Sequence, residues 1–341
     1  MSADLPAPSL PADGPVSGTA LLGPNQYGKA ETRVVRVTRE GRTHHIRDLN
    51  VSVALSGDMD EAHYTGSNAA VLPTDTAKNT VFAFAKEHGI ASPEEFGMLL
   101  ARHFVTGRRT IRSARIRIEE YAWDRIEPPA GAAGAAGAEG AARHSFVRRG
   151  DVIRTAQVGY DGDGWEVLSG LKHLTVLNST GSEFHGYLKD RYTTLEETHD
   201  RILATEVSAC WRHRGSPGPP AAGPAAGAAA EGAVPDHRDW DGIWRQARDG
   251  LLAAFATTYS YSLQQTLYAM GGRVLADCPG IDEIRLSLPN KHHFLVDLEP
   301  FGLTNENEVY FAADRPYGLI EATVLRPGAA ARIPADLTNL P

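Results

Sequence analysis

The stretch "IRLSLPNKHHFLVDLEP", Ile284–Pro300, sets an asparagine, a lysine and two adjacent histidines between two apolar runs. Those side chains offer three outcomes: metal ligation, general-base catalysis, or a solvated turn joining two strands. Neighbouring strand residues point to opposite faces, so neither His292–His293 nor His44–His45 presents two nitrogens to one ion. The 13 histidines include no His-Glu-x-x-His, and Cys210 and Cys278 are too few for a thiolate zinc or iron–sulfur site. "DGDG" at 161–164 opens like a calcium loop but lacks the glutamate at its twelfth position, and reads as a hairpin turn. There is no Gly-x-Gly-x-x-Gly after a strand, no Walker-type lysine loop and no Gly-x-Ser-x-Gly. A phosphate cradle and a serine-hydrolase elbow are therefore unsupported.

What remains is a scattered polar set. Lys29 stands in "QYGKAE" at the start of the first strand, and Thr74 or Asp75 caps a helix whose N-terminus attracts anions. Arg201 leads into a strand, Gln264 lies in the first turn of a helix, and Asn290 and His292 sit in the stretch quoted above. Singly, each has an ordinary explanation: a surface charge, a cap, a solvated helix residue, a satisfied histidine.

The elements that must position these residues fall into two similar halves. "ETRVVRVTR" and "HHIRDLNVSVALSG" alternate with period two, placing Val51, Val53 and Leu55 on one face. A helix over "PTDTAKNTVFAFAKEHG" stops at Gly89; the next has Ser92 as cap, Pro93 first and Glu95 closing a capping box, with Phe96, Leu99, Leu100 and Phe104 on one side. Strands resume at Thr110. The second half repeats the plan: strands at 171–180 and 201–214, a helix at 239–256 with Trp240, Trp244, Leu251 and Phe255 in a stripe, and a helix at 262–278 with Leu263, Leu267, Met270 and Val274 inward. "IDEIRLSL" and "HHFLVDL" then read as two closing strands. Strands and paired helices segregated in this way imply an α+β chain, an antiparallel sheet with helices on one face.

Two Ala/Gly/Pro segments, 128–142 and 215–235, read as mobile loop insertions, the first at a hairpin tip. Residues 1–26 read as a disordered tail without a secretory signal, and 326–341 as a C-terminal tail. No run approaches the roughly 18 apolar residues of a membrane span. A formal charge of -8 opposes non-specific nucleic-acid binding. Two distant cysteines fit a reducing, cytoplasmic setting.

Taken in order, "YGKAETRVVRV", "VLPTDTAKNTVFAFAKE", "LTVLNSTGSEFHGY", "DRYTTLEETHDRILAT", "YSLQQTLYAM" and "SLPNKHHF" resemble the signature blocks of the urate oxidases, from about Tyr27 to Thr323. The resemblance implies a tunnelling fold (T-fold) of two ββααββ repeats, at 27–165 and 166–325. It also implies antiparallel sheets closing into a barrel across subunits, helices on the outer face, and a homotetramer with sites at subunit interfaces. The implied reaction is oxidation of urate by O2 and water to 5-hydroxyisourate and H2O2, with no metal and no organic cofactor. Carried over by position, Lys29, Thr74 and His292 match a proton relay, with Lys29 as base. Arg201 and Gln264 match the groups that grip the pyrimidine side of urate, and Phe184 matches the ring stacked against it. Backbone groups of Thr74 and Asp75 match a contact to the five-membered ring. Leu263 matches a backbone contact, and Asn290 the residue that holds O2 and then water. The alternatives are another tunnelling-fold enzyme acting on purines or pterins, and a purine-binding homologue without catalysis.

Overall fold

Alternation of Val51, Val53 and Leu55 with Asn50, Ser52 and Ala54 gives the second strand one fully apolar face, and the rest of the sheet is built on that face. The computed structural model describes residues 20–41, 43–126, 144–215 and 238–335. In chain order its elements are β1 (Tyr27–Glu40), β2 (Thr43–Gly57), α1 (Asp60–Tyr64), α2 (Thr74–Glu87), α3 (Pro93–Val105), β3 (Ile111–Tyr121), β4 (Trp123–Arg125), β5 (Phe146–Arg148), β6 (Ile153–Tyr160) and β7 (Trp165–Asn178). Then come β8 (Leu203–His213), α4 (Trp240–Thr257), α5 (Leu263–Asp277), β9 (Ile281–Leu295) and β10 (Tyr310–Leu325). Eight strands form one sheet in the order β1-β2-β3-β6-β7-β8-β9-β10, each neighbouring pair antiparallel.

Register carries the apolar face from strand to strand. Val53 pairs with Ile116, Ile116 with Val158 and Val158 with Val167. Beyond β7, Leu171 pairs with Ala209, Ala209 with Leu286 and Leu286 with Ala322. Helices α2 and α3 cover the first half of this face and α4 and α5 the second, giving two apolar cores. The expected inward residues Phe96, Leu100 and Phe104, and Leu263, Leu267, Met270 and Val274, are buried. Leu99 is only half-buried, because Met98 and Ala101 take the inward positions.

A polar seam separates the two cores. Arg154 of β6 donates to Glu94 of α3 (2.6 Å) and to Asp241 of α4 (2.5 Å), and Arg47 of β2 reaches both Glu120 (2.5 Å) and Asp241 (2.7 Å). Ser169 of β7 donates to Glu94 and contacts Nε2 of His213 at 2.8 Å. Burial pushes the Glu94 carboxyl up, with Arg154 and Ser169 pulling against it.

Several local readings change. Thr74 is not the cap of α2: the cap position is Pro73, which supplies no side-chain bond, and Thr74 is the first helical residue. Proline's fixed φ gives the chain an extended entry without a polar cap. Ser92 caps α3 as expected, accepting from the Glu95 N–H, and Gly89 turns the chain at φ 79° after α2. "PNKHH" is no turn, because β9 runs unbroken through it to Leu295. The ladder from β9 to β8 pairs Ser287 with Ser208 and resumes at Asn290 with Thr205. It thereby skips Pro289, which has no N–H to give. The fourth strand of this half is β10. β4 pairs with β5, so the chain on either side of the first insertion comes together as a hairpin. The two insertions lie wholly or almost wholly outside the described residues. Residues 20–26 are tethered through Leu22 N–H to Tyr64 Oη (3.1 Å) and Arg115 to Gln26 (2.9 Å). Residues 326–335 fold back, with Arg326 on the Ile281 and Leu275 carbonyls and Ile333 N–H on buried Glu283. Among the described residues no helix is long and apolar enough to cross a membrane.

Candidate functional site

The predicted residues gather into two groups, one in each half of the chain. In the first, β1 starts in close contact with β2: a Cβ at Gly28 would lie 1.8 Å from the Val53 carbonyl oxygen. A bulge follows between Lys29 and Thr32, with Glu31 at φ 55° and its N–H donating to Ser52 Oγ (3.0 Å). Bulges re-aim side chains, and this one lies immediately after Lys29. Tyr27 Oη accepts from the Leu72 N–H (2.8 Å), which ties the approach to α2 to the same end of β1. Lys29 and the N-terminus of α2 are thus neighbours. Asp75 is held below the ordinary carboxylate range by the ion pair with Lys78, with a smaller pull from Lys29. Thr74 is exposed one residue before it. Lys78, not singled out from the sequence, falls one helical turn after Asp75.

The second group is built on a loop pinned to a helix. Ser182 and Ser260 are fully buried and form a bridge: the Ser260 N–H donates to Gly181 O (3.0 Å) and the Glu183 N–H to Ser260 O (2.8 Å). Thr266 of α5 donates to Ser260 Oγ (2.8 Å), and Ser262 caps α5 by accepting from the Gln265 N–H. This hydroxyl chain fastens the segment carrying Phe184 to the first turn of α5, where Leu263 and Gln264 lie. Arg201 donates through Nε to Ser182 Oγ (3.1 Å), and its guanidinium carbon stands 5.1 Å from the Phe184 ring centre, within cation–π range. Burial lowers the pKa of that guanidinium from its ordinary value. Tyr187 stacks on Phe184 at 4.9 Å. Leu263 is buried in the core, while Gln264 beside it is exposed.

The two histidines of β9 separate. His292 stacks loosely with Phe294 (5.9 Å), and its pKa is lowered by burial and then by the charge of Arg201, so Arg201 lies close by. His293 turns its Nδ1 to the Lys291 carbonyl (3.0 Å). Lys291 is tied to Glu206 (2.9 Å), which also meets His173 (2.9 Å). Asn290, two residues before His292, shares its face.

The chain does not unite the two groups. Lys29 is on β1, at one edge of the sheet; Asn290 and His292 are on β9, next to β10 at the other edge. A cavity of about 280 Å³ on the polar face of the sheet, lined by residues such as Asn50, Arg117, Gln157 and Cys210, contains none of the predicted residues. Burial pushes the Cys210 thiol up to about 12 and the Cys278 thiol up to about 11, so neither is a ready nucleophile. A grouping not anticipated from the sequence is Glu183, His185 and His199, whose ligand atoms lie within 4.8 Å of one another. Its only sequence trace is the Glu-x-His spacing around Phe184.

The comparisons bear on the whole chain. The Uricase family model matches residues 25–159 and 167–321. A uricase of Arthrobacter globiformis is 48% identical over 314 residues, covering 92% of this chain and 93% of that protein. A uricase of Emericella nidulans is 36% identical over 312 residues, covering 89% and 97%. The crystal structure of the Arthrobacter globiformis uricase superposes with a TM-score of 0.80 at 47% identity, covering 93% of this chain and 99% of that one. The chain belongs to the uricase family.

Proposed function

We propose that the chain oxidises urate with O2 and water to 5-hydroxyisourate and H2O2, in a site completed only between two subunits and without a metal or organic cofactor. One observation carries the reading. In a uricase-family chain, the residues suited to grip and stack a flat anion cluster in the second half, while the lysine suited to deprotonate it sits at the opposite edge of the sheet. Both edges, β1 and β10, are long strands with no further strand beside them among the described residues, and β10 exposes Phe311, Tyr317 and Leu319. Such edges call for a partner. Pairing of two copies edge to edge closes the sheets into a barrel and carries Lys29 and Thr74 of one to the grip of the other; two such dimers make the homotetramer. Each subunit then contributes two ββααββ repeats, 27–165 and 166–325, and the assembly works in the cytoplasm.

In this reading Arg201 and Gln264 hold the pyrimidine side of urate, with a guanidinium fork and an amide against adjacent carbonyl and ring-nitrogen groups. Phe184, backed by Tyr187, stacks on the ring plane, and the backbone of Leu263 adds a contact at the same end. Backbone groups of Thr74 and Asp75 meet the five-membered ring. Lys29 removes a proton through the Thr74 hydroxyl, and His292 exchanges protons with Lys29. A lysine base at neutrality needs burial or a cationic neighbour to depress its ordinary pKa of about 10.4. Asn290 holds O2 over the exposed ring face and then the water that adds. The urate anion supplies the two electrons that reduce O2 to peroxide, and the added water supplies the hydroxyl at C5. The protein provides deprotonation, orientation and a dry site.

The test is direct. Chelator-treated protein mixed with urate in air is expected to bleach the ultraviolet absorbance of urate and release one H2O2 per urate consumed. Absence of turnover without an added metal or cofactor would overturn the proposal.

A further inference from the structure

We infer that Glu183, His185 and His199 form a binding site for one divalent ion of the zinc class, on the reverse side of the strand segment that presents Phe184. The segment pairs with its return limb through reciprocal bonds, Phe184 N–H to Thr198 O (2.8 Å) and Thr198 N–H to Phe184 O (3.1 Å). In an antiparallel bridge this register sets Glu183 directly across from His199. His185, two residues along, shares the Glu183 face, and Phe184 points to the other. The side chains obey that geometry. His185 Nε2 is 2.8 Å and His199 Nδ1 3.6 Å from the same oxygen, Oε2 of Glu183, and the two imidazoles are 4.6 Å apart between centres. Zinc bonds of about 2.0–2.2 Å in a tetrahedron separate ligand atoms by about 3.3 Å. The 2.8 and 3.6 Å separations bracket that spacing, so small side-chain rotations suffice.

The chemistry of the set narrows the ion. Two imidazoles and one carboxylate suit zinc, copper or nickel, and are a poor match for magnesium or calcium, which take oxygen ligands. Three protein ligands leave a position for water. The carboxylate is the sheltered member, its side chain 16% exposed, whereas His199 is 73% exposed and gives the ion a path from solvent. A second layer is in place: Tyr259 donates to the other oxygen, Oε1 of Glu183, and the Glu183 backbone N–H is bonded to Ser260 O. Partners of this kind orient a ligand for its metal. An ion here cross-links 183–185 to 199 directly behind Phe184 and two residues before Arg201. Any effect on urate affinity rests on the function proposed above; binding of the ion does not.

The experiment is therefore done without urate. Chelator-stripped full chain is titrated with Zn2+ in the presence of excess Mg2+, by calorimetry or equilibrium dialysis. One tight site per chain is expected, weakened at least about tenfold by His199→Ala and by Glu183→Gln, and retained by His45→Ala, an exposed histidine elsewhere. X-ray absorption of the zinc-loaded protein should show two imidazole ligands, with one lost in His199→Ala. Equal affinity in the wild type and both site variants, or no binding above that of Mg2+, overturns the inference.

Discussion

Lys29 has little in its sequence surroundings to distinguish it from a surface lysine. What sets it apart is a bulge beginning at its own position, a helix N-terminus packed beside it, and an aspartate that feels its charge. If it is the base, Lys29→Met should lower urate turnover by about 10²–10⁴-fold, the usual contribution of general-base catalysis. Thr74→Ala should give a comparable fall if the hydroxyl carries the proton. Both are read by ultraviolet loss of urate, with sedimentation showing the assembly intact; near-wild-type rates in both would end the relay assignment. Other residues were separable by reasoning on the strand alone. Alternation splits His292 from His293, and Lys291 between Asn290 and His292 is engaged by an ion pair with Glu206. The Ser182–Ser260 backbone bridge with its Thr266 hydroxyl contact and the Glu183–His185–His199 group were not legible. Each joins segments distant in sequence through a single β-bridge, which leaves no periodic trace.

At the scale of elements, strongly periodic segments were readable because burial on one face dictates residue type at every second or every third and fourth position. β9 was misread at its centre for a physical reason. A strand whose outward positions carry polar residues, and whose proline falls where the ladder skips a bond, has the composition of a turn. The seam between the two cores was also hidden, since it is made of charges that look like surface residues in sequence. Arg154 is 7% exposed and Glu94 fully buried, so Arg154→Met leaves a buried carboxylate without its cation. The expected loss is about 3–5 kcal/mol in denaturant unfolding, against little change for a solvated arginine such as Arg191. His213 belongs to the same seam. Ser169 gives its proton to Glu94, which leaves its oxygen to accept from His213 Nε2, while Nδ1 is buried with no hydrogen-bond partner among the described residues. Burial and the charges of Arg238 and Arg154 depress this imidazole from 6.5 to about 3. Below pH 6.5 the unfolded chain therefore binds a proton that the folded chain refuses. Stability contributed by the neutral ring is complete above that pH and drains as pH falls toward 3, by up to about 1.4 kcal/mol per pH unit. Calorimetry at pH 7.5 and 5 should show a smaller drop in Tm for His213→Gln than for wild type; equal drops would remove this histidine from the acid response.

For the molecule as a whole, the sheet order turns a question about residues into one about subunits. The base candidate lies at one edge of the eight-stranded sheet and the candidate grip residues in the half that ends at the other edge, and nothing in a linear sequence tells whether the two meet within a chain or between chains. Mixing inactive variants separates the cases. Lys29→Met destroys only the contribution of one edge, and Arg201→Gln only that of the other. If each site takes Lys29 from one subunit and Arg201 from its neighbour, co-expression in equal amounts with random assembly joins a sound first edge to a sound second edge in about one quarter of the sites. Those sites should turn over urate at the wild-type rate, so the mixture recovers about a quarter of full activity from two nearly inactive parents. The recovered activity should fall as the ratio departs from one to one, because mixed pairs become rarer. If both groups instead served the same site from one chain, every site would carry one defect, and no mixture would exceed its parents. Recovery measured as peroxide release per subunit thus reports the geometry of assembly without reference to its size.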